Sequence, residues 1–204
     1  MIRRIVLSSG NKHKITEIKH ILRDMPFEVV SKDDLGYTDF DVVEDGKTLE
    51  ENAFKKAEEL HRLVGGIVIA DDTGLFVDSL NGEPGVYSAR YAGEPVSNKN
   101  NNILLLKNLM NVPVEKRTAH FKTIIAIIFE DGRRIMAEGR VDGKIGFEER
   151  GKNGFGYDPL FIVEETEKTF AEMTEEEKNQ ISHRARALMN LKEKLEDVGE
   201  NISN

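Results

Sequence analysis

IVIADDTGLFVDSL, residues Ile67–Leu80, is the stretch whose parsing decides the fold. Its opening run, Ile67-Val68-Ile69-Ala70, is short and apolar, which predicts a buried strand. The run ends in two adjacent aspartates, Asp71 and Asp72. Thr73-Gly74 then predicts a turn, and Leu75-Phe76-Val77 a second strand-like run. Turn chemistry accounts for one aspartate at a strand mouth, because Asp favours turns. It does not account for two. Adjacent residues on an extended strand point to opposite faces, so the two carboxylates do not share one site equally unless the turn begins at Asp71. Asp71 is then expected to support the turn, or to stand behind the site and hold its groups in place, bonding backbone amides.

Upstream, RRIVLSS (3–9) predicts a first strand, ended by Gly10-Asn11. Ile15, Ile18, Ile21 and Leu22 follow at helical spacing. FEVVS (27–31) reads as a second strand, and DDLGYTDFDVVEDG (33–46) as an acidic loop. Thr48 and Glu51 form a capping-box pattern before a helix with Ala53, Ala57, Leu60 and Val64 on one side. Gly65-Gly66 stops it.

Downstream, LNGEPGVYSARYAG (80–93) is punctuated by Gly and Pro and reads as loop. A helix is expected over about 97–110, with Ile103, Leu106 and Leu109 or Met110 inward. AHFKTIIAIIFEDGRRIMAEGRVDGKIG (119–146) predicts a long antiparallel hairpin turning at Asp131-Gly132. GKNGFGYDP (151–159) is a glycine-rich loop before the strand LFIV. A capped turn at Thr174–Glu177 precedes a helix from about Ser182, its N-cap, lined by Leu188, Leu191 and Leu195. GENISN (199–204) is expected to fray. The pattern gives a mixed α/β (α+β) class in one domain spanning 1–204, two lobes around a cleft, with no repeat and no long linker.

The bulk composition removes several functions. The chain has 204 residues, a formal net charge of −8 and no cysteine. A generally basic surface for nucleic acid is therefore not expected. Disulfides and thiolate metal sites are excluded, in keeping with a reducing cytoplasm. TIIAIIF is far too short to cross a bilayer, and MIRRIVLSSG carries only a strand-sized apolar run. An acidic protein still holds a polyphosphate if cations cluster locally and carboxylates hold the Mg²⁺ that travels with it.

Four segments are able to carry such chemistry. SSGNKHK (8–14) sits at a strand-to-helix junction, where unpaired N–H groups and the helix dipole suit phosphate. Gly10 permits close approach, and Lys12 and Lys14 add charge; on spacing alone, an ordinary turn with Asn11 as N-cap is the simpler reading of the same residues. Glu44, Asp45, Glu51, Asp71 and Asp72 form an acidic set suited to Mg²⁺ or to taking a proton from water, although capping uses Glu51 and a solvated loop explains Glu44. GKNGFGYDP offers Phe155 and Tyr157 either as a wall for a base or as core filling. Lys178, His183 and Arg184 cluster before the last helix, either to read a nucleotide or as a solvated charged face. The remaining histidines lack zinc-ligand spacing, and Ser88 is not in a nucleophile elbow, so water is the expected nucleophile.

Taken together and in order, SSGNKHKITEI, EDGKTLEENAFKKA, ADDTGLFVDSLNGEPGVYSARYAG, GFGYDPLF and AEMTEEEKNQISHRARAL resemble the inosine/xanthosine triphosphate pyrophosphatase family. The resemblance runs from residue 8 to about 188. It implies an elongated, two-lobed mixed α/β fold around a central cleft, usually a homodimer. It also implies Mg²⁺-dependent hydrolysis of ITP, dITP or XTP between the α and β phosphorus atoms. Ser9, Gly10, Asn11, Lys12, His13 and Lys14 match the phosphate turn, with Ser9 where Thr is common. Glu44 matches a metal-associated acid and Lys56 a phosphate-facing lysine. Asp72 matches the general base and metal-side carboxylate, and Thr73 stands where Ser is more usual. Phe155, Gly156, Tyr157 and Asp158 match the base-binding loop. Lys178, His183 and Arg184 match the recognition set, with His183 or Arg184 donating to the 6-keto oxygen that adenine lacks. The competing expectations are a septum-inhibitor-type nucleotide pyrophosphatase and a non-catalytic nucleotide-binding protein.

Overall fold

Ile67–Val77 form one unbroken strand, β3, in a computed structural model that describes residues 3–23 and 27–197. The turn expected at Thr73-Gly74 is absent. Gly74 lies within the strand because another backbone lies against it: a Cβ there would fall 2.6 Å from the Gly85 carbonyl oxygen. A glycine inside a strand often marks such an approach rather than a turn. The neighbour is the two-residue strand β4 (Pro84–Gly85), antiparallel to β3 with Leu75 opposite Gly85.

The other strands are β1 (Arg3–Leu7), β2 (Phe27–Ser31), β5 (Thr118–Ile128), β6 (Arg134–Ile145) and β7 (Phe161–Val163). The sheet order is β2-β1-β3-β5-β6-β7, with β4 on β3. β1 pairs in parallel with both β2 and β3, whereas β6 and β7 are antiparallel, so the sheet is mixed. Central parallel strands are covered on both faces, which is why β3 is apolar without alternation up to Asp71. β5 and β6 are sheet neighbours. Their connection is closed by Gly132 N–H donating to Phe129 O and Phe129 N–H to Arg133 O.

Five α-helices complete the described residues: α1 (Lys12–Ile21), α2 (Leu49–Val64), α3 (Asn98–Asn108), α4 (Glu175–Ile181) and α5 (His183–Asp197). Asn11 caps α1, its side chain accepting from the His13 and Lys14 amides. A cap contributes about 1 kcal/mol. A fully buried Ile or Leu contributes ~1.5–3 kcal/mol, so the buried Ile18 and Leu22 hold α1 in place more than its cap does. Thr48 caps α2, but Glu51 returns to the Lys47 amide rather than to Thr48, so only half of the expected capping box forms. Both halves form at Thr174 and Glu177.

α3 differs in its buried face. Ile103 is 55% exposed and Met110 71%, while Asn101, Asn102, Leu105 and Leu109 are buried. The helix is turned this way because both asparagines find buried partners: Asn101 accepts from Ala92 N–H and donates to Ala89 O. Ser182 is extended between α4 and α5, and Leu188, Leu191 and Leu195 are buried as expected. Residues 199–204, expected to fray, lie outside the described residues.

The chain divides into two compact units, Met1–Asp72 with Thr123–Gly139 and Arg184–Asn204, and Thr73–Lys122 with Arg140–His183. The first has a core of Ile5, Leu7, Ile18, Ile69, Ile125 and Leu188 among others. The second is built on Leu75, Leu105, Phe121, Leu160, Phe161 and Phe170. No helix among the described residues is long and apolar enough to cross a membrane.

Candidate functional site

In the first unit, parallel pairing sets Ser8 beside Ile69, and the Ser8 amide donates to the Ile69 carbonyl at 2.8 Å. The turn after β1 is therefore level with the aspartates of β3. Carboxyl ends of adjacent parallel strands are where α/β sheets receive ligands. Ser8 also donates its hydroxyl to the Lys56 carbonyl at 3.2 Å, tying α2 to this end of the sheet.

The two aspartates separate onto different partners. Asp72 Oδ1 lies 3.1 Å from Lys56 Nζ, which lies 3.0 Å from Glu44 Oε1, so one ammonium bridges two carboxylates. Asp72 Oδ2 accepts from Asn52 Nδ2 at 3.2 Å. Burial pushes the Asp72 carboxyl above the usual carboxylate range; Lys56 opposes the shift and Glu44 adds to it. Lys56 also suffers from burial, but Asp72, Glu44 and Asp71 overcome it, and its ammonium is held above its ordinary value.

Asp71 takes Lys14 at 3.0 Å and Arg184 at 3.3 Å. Burial alone would raise its carboxyl, but Lys14, Arg184 and Lys56 hold it well below the ordinary range. Asp71 thus anchors cations from behind Asp72 rather than supporting a turn, the second of the two roles its position allowed. Arg184 also donates to Glu17 on α1. Its side chain is only 1% exposed. Two buried carboxylates hold its guanidinium, and it sets the position of Asp71.

The rest of the turn after β1 is open. Gly10, Asn11, Lys12 and His13 are exposed, and Ser9 accepts from the Asn11 amide at 3.2 Å. Sequence reasoning missed Asn52, Glu17 and Lys32 here. Asn52 carried a signal, being a polar residue on the buried face of α2. Lys32 is buried, donates to Asp33, Tyr37 O and Thr38 O, and brings its ammonium to 4.0 Å from where a Gly10 side chain would begin.

The second unit brings Phe155, Asp158 and Lys178 together. Asp158 Oδ2 accepts from Lys178 Nζ at 2.8 Å and from the Phe155 amide at 2.9 Å. Lys178 Nζ also lies over the Phe155 ring, 4.9 Å from its centre. Gly154 is required: its φ is +74°, and a side chain there would strike Asp158. His183 stacks on Phe121 at 4.6 Å and leans on Phe170, which also lies under Lys178. Phe170 was not foreseen. Tyr157 belongs to the core, its hydroxyl donating to Ser88 O at 2.9 Å, so of the loop's two aromatics only Phe155 remains partly exposed. Thr73, next to Asp72, is also partly exposed.

The family model described as the Ham1 family matches residues 5–194. The chain belongs to the Ham1 family. Among curated Ham1 relatives, a dITP/XTP pyrophosphatase of Thermoanaerobacter pseudethanolicus is 54% identical over 189 residues, covering 93% of this chain and 94% of that protein. One of Clostridium perfringens is 49% identical, covering 97% and 99%. The solved Ham1 protein of Staphylococcus aureus superposes with a TM-score of 0.85 at 44% identity, covering 96% of this chain and 99% of that one. The Ham1 match encloses the whole Glu44–Lys56–Asp72 bridge and both ends of the Arg184–Glu17 pair.

Proposed function

We propose that the protein hydrolyses non-standard purine nucleoside triphosphates, ITP, dITP and XTP, to the monophosphate and pyrophosphate. Relatives at 49–54% identity bear the name dITP/XTP pyrophosphatase. On this chain the reading is carried by one observation: Lys56 bridges Glu44 and Asp72, a cation held between a loop carboxylate and a carboxylate within β3.

The same bridge bears on Mg²⁺. Two carboxylate oxygens converge on one point that already favours positive charge. Mg²⁺ takes one or two carboxylates and completes its shell with water and substrate phosphate oxygens, so Glu44 and Asp72 suffice. Glu44 and Asp72 would hold Mg²⁺, which would supply charge stabilisation on the phosphates. Asp72 accepts the proton of the attacking water, and its raised pKa makes it a better base than an ordinary carboxylate. Asn52 keeps Asp72 Oδ2 in place while Oδ1 receives the proton. Lys14 and Lys56, which balance carboxylates in the free chain, stabilise phosphate charge as the water attacks the α phosphorus.

His183 or Arg184 donates toward the 6-keto oxygen, and Lys178 stands beside Phe155. Adenine would leave such a buried donor unpaired at about 1–3 kcal/mol. Phe155 supplies a ring face for the base. Homodimerisation and a cytoplasmic setting belong to the same proposal and rest on the family resemblance. A septum-inhibitor-type pyrophosphatase and a non-catalytic sensor are the competing readings, and the relatives' names favour neither.

The test is incubation with Mg²⁺ and ITP, XTP, ATP, GTP or dUTP, with identification of products. Pyrophosphate and monophosphate from ITP and XTP are expected. Orthophosphate would overturn the bond assignment, dUTP preference would favour the septum-inhibitor type, and binding without turnover would favour a sensor.

A further inference from the structure

Asn102 stands on α3 and is 3% exposed. Its Nδ2 donates to Glu149 Oε1 at 2.8 Å and to the Gly156 carbonyl at 3.1 Å. An amide nitrogen has two hydrogens, and both are used. Because both neighbours are acceptors, the amide has one tenable orientation; a flip would set its oxygen against a carboxylate and a carbonyl. Asn102 Oδ1 is buried and has no hydrogen-bond partner.

Gly156 is inside the Phe155–Asp158 loop and takes φ +62°. The loop's own Asp158 fixes the Phe155 amide, and Tyr157 reaches out to Ser88 O. The Gly156 carbonyl is fixed by Asn102. Turning that carbonyl would turn the peptide that joins Gly156 to Tyr157 and disturb the ring of Phe155 beside it.

We propose that Asn102 is a positioning residue for nucleobase recognition, acting through the Gly156 carbonyl, with Glu149 holding the amide in its donating orientation. The inference rests on the proposed nucleotide reading of the loop and extends it to a residue outside the loop. Asn102→Asp keeps the shape of the side chain but replaces the double donor with a charged acceptor facing two acceptors.

The test compares wild type, Asn102→Asp and a double variant that combines Asn102→Asp with Glu149→Gln, by thermal midpoint and by kcat and KM for ITP. Asn102→Asp is expected to lower the midpoint and raise KM on the order of fivefold, the scale of one hydrogen bond, with kcat within about twofold. In the double variant the introduced carboxamide donates to the introduced carboxylate, so the midpoint recovers. KM stays raised, because the Gly156 carbonyl still has no donor. Recovery of KM together with the midpoint would mean a merely structural role and overturn the inference. So would wild-type KM in a folded Asn102→Asp protein. Wild type inert toward ITP would instead remove the reading on which the inference rests, and the inference with it.

Discussion

Asp71 and Asp72 are adjacent on β3, yet their carboxyls are driven in opposite directions. Asp71 is held below the ordinary range and Asp72 is pushed above it. Both are buried, so desolvation raises both. The difference lies in the partners: Lys14 and Arg184 act on Asp71, whereas Asp72 shares Lys56 with Glu44. Alternation along the strand makes this possible, since it sends neighbouring side chains to opposite faces. One aspartate is a fixed anion, and the other holds a proton more readily than an ordinary carboxylate.

Asp72→Asn should remove the base and keep the shape. The amide still accepts from one neighbour, and Lys56 keeps Glu44. Turnover of ITP is expected to fall by about 10²–10⁴, the usual worth of a general base, with an unchanged circular dichroism spectrum. A fully active, folded variant would show that Asp72 is not the base.

Arg184→Met should be costly to stability. It leaves Glu17 and Asp71 buried with their shared guanidinium gone. Breaking a buried ion pair from one side costs about 3–5 kcal/mol. Urea denaturation measures this directly, and a variant as stable as wild type would mean that the cluster is not a support for β3.

Asp34 gives a pH-dependent test on the surface. Its carboxyl accepts from the Ser31 amide at 2.9 Å and pairs with Lys19 at 3.0 Å, which lowers its pKa to about 2. A depressed folded value contributes stability above the unfolded value, and that contribution is lost as pH falls through the folded one. The thermal midpoint of wild type should therefore exceed that of Asp34→Asn above about pH 4, and the two should converge toward pH 2. A constant offset down to pH 2 would contradict the assignment.

Periodicity made much of this legible. The strand of Arg3–Leu7, the capped helices α1 and α2 and the split between Asp71 and Asp72 all follow from spacings of 3.6 and 2. What escaped was polar pairing over long sequence distance. Gly74 looked like a turn because the Gly85 carbonyl that requires it lies on another strand. α3 looked as though it buried Ile103 because nothing in its spacing reveals acceptors near Glu149 and Gly156. The pairing of Arg184 with Glu17 was not legible because the two lie 167 residues apart. Hydrophobic spacing encodes which face is buried, and buried polar partners follow only once the chain is folded.

Arg117 extends that lesson to a residue no motif singled out. It is 2% exposed, and its guanidinium donates to Leu109 O at 2.6 Å, Val112 O at 3.0 Å and Gly146 O at 2.7 Å. Phe147 covers it, with the guanidinium carbon 3.9 Å from the ring centre. These three carbonyls tie the end of α3 to the segment after β6. Lysine keeps the charge but cannot reproduce a planar fork aimed at three separated oxygens or its stacking on a ring. Arg117→Lys is thus expected to destabilise by at least about 2 kcal/mol, on the scale of one or two lost charge-assisted bonds. Urea unfolding monitored by circular dichroism measures the loss. An unchanged midpoint would show that charge at this site, and not the fork, holds α3 in place.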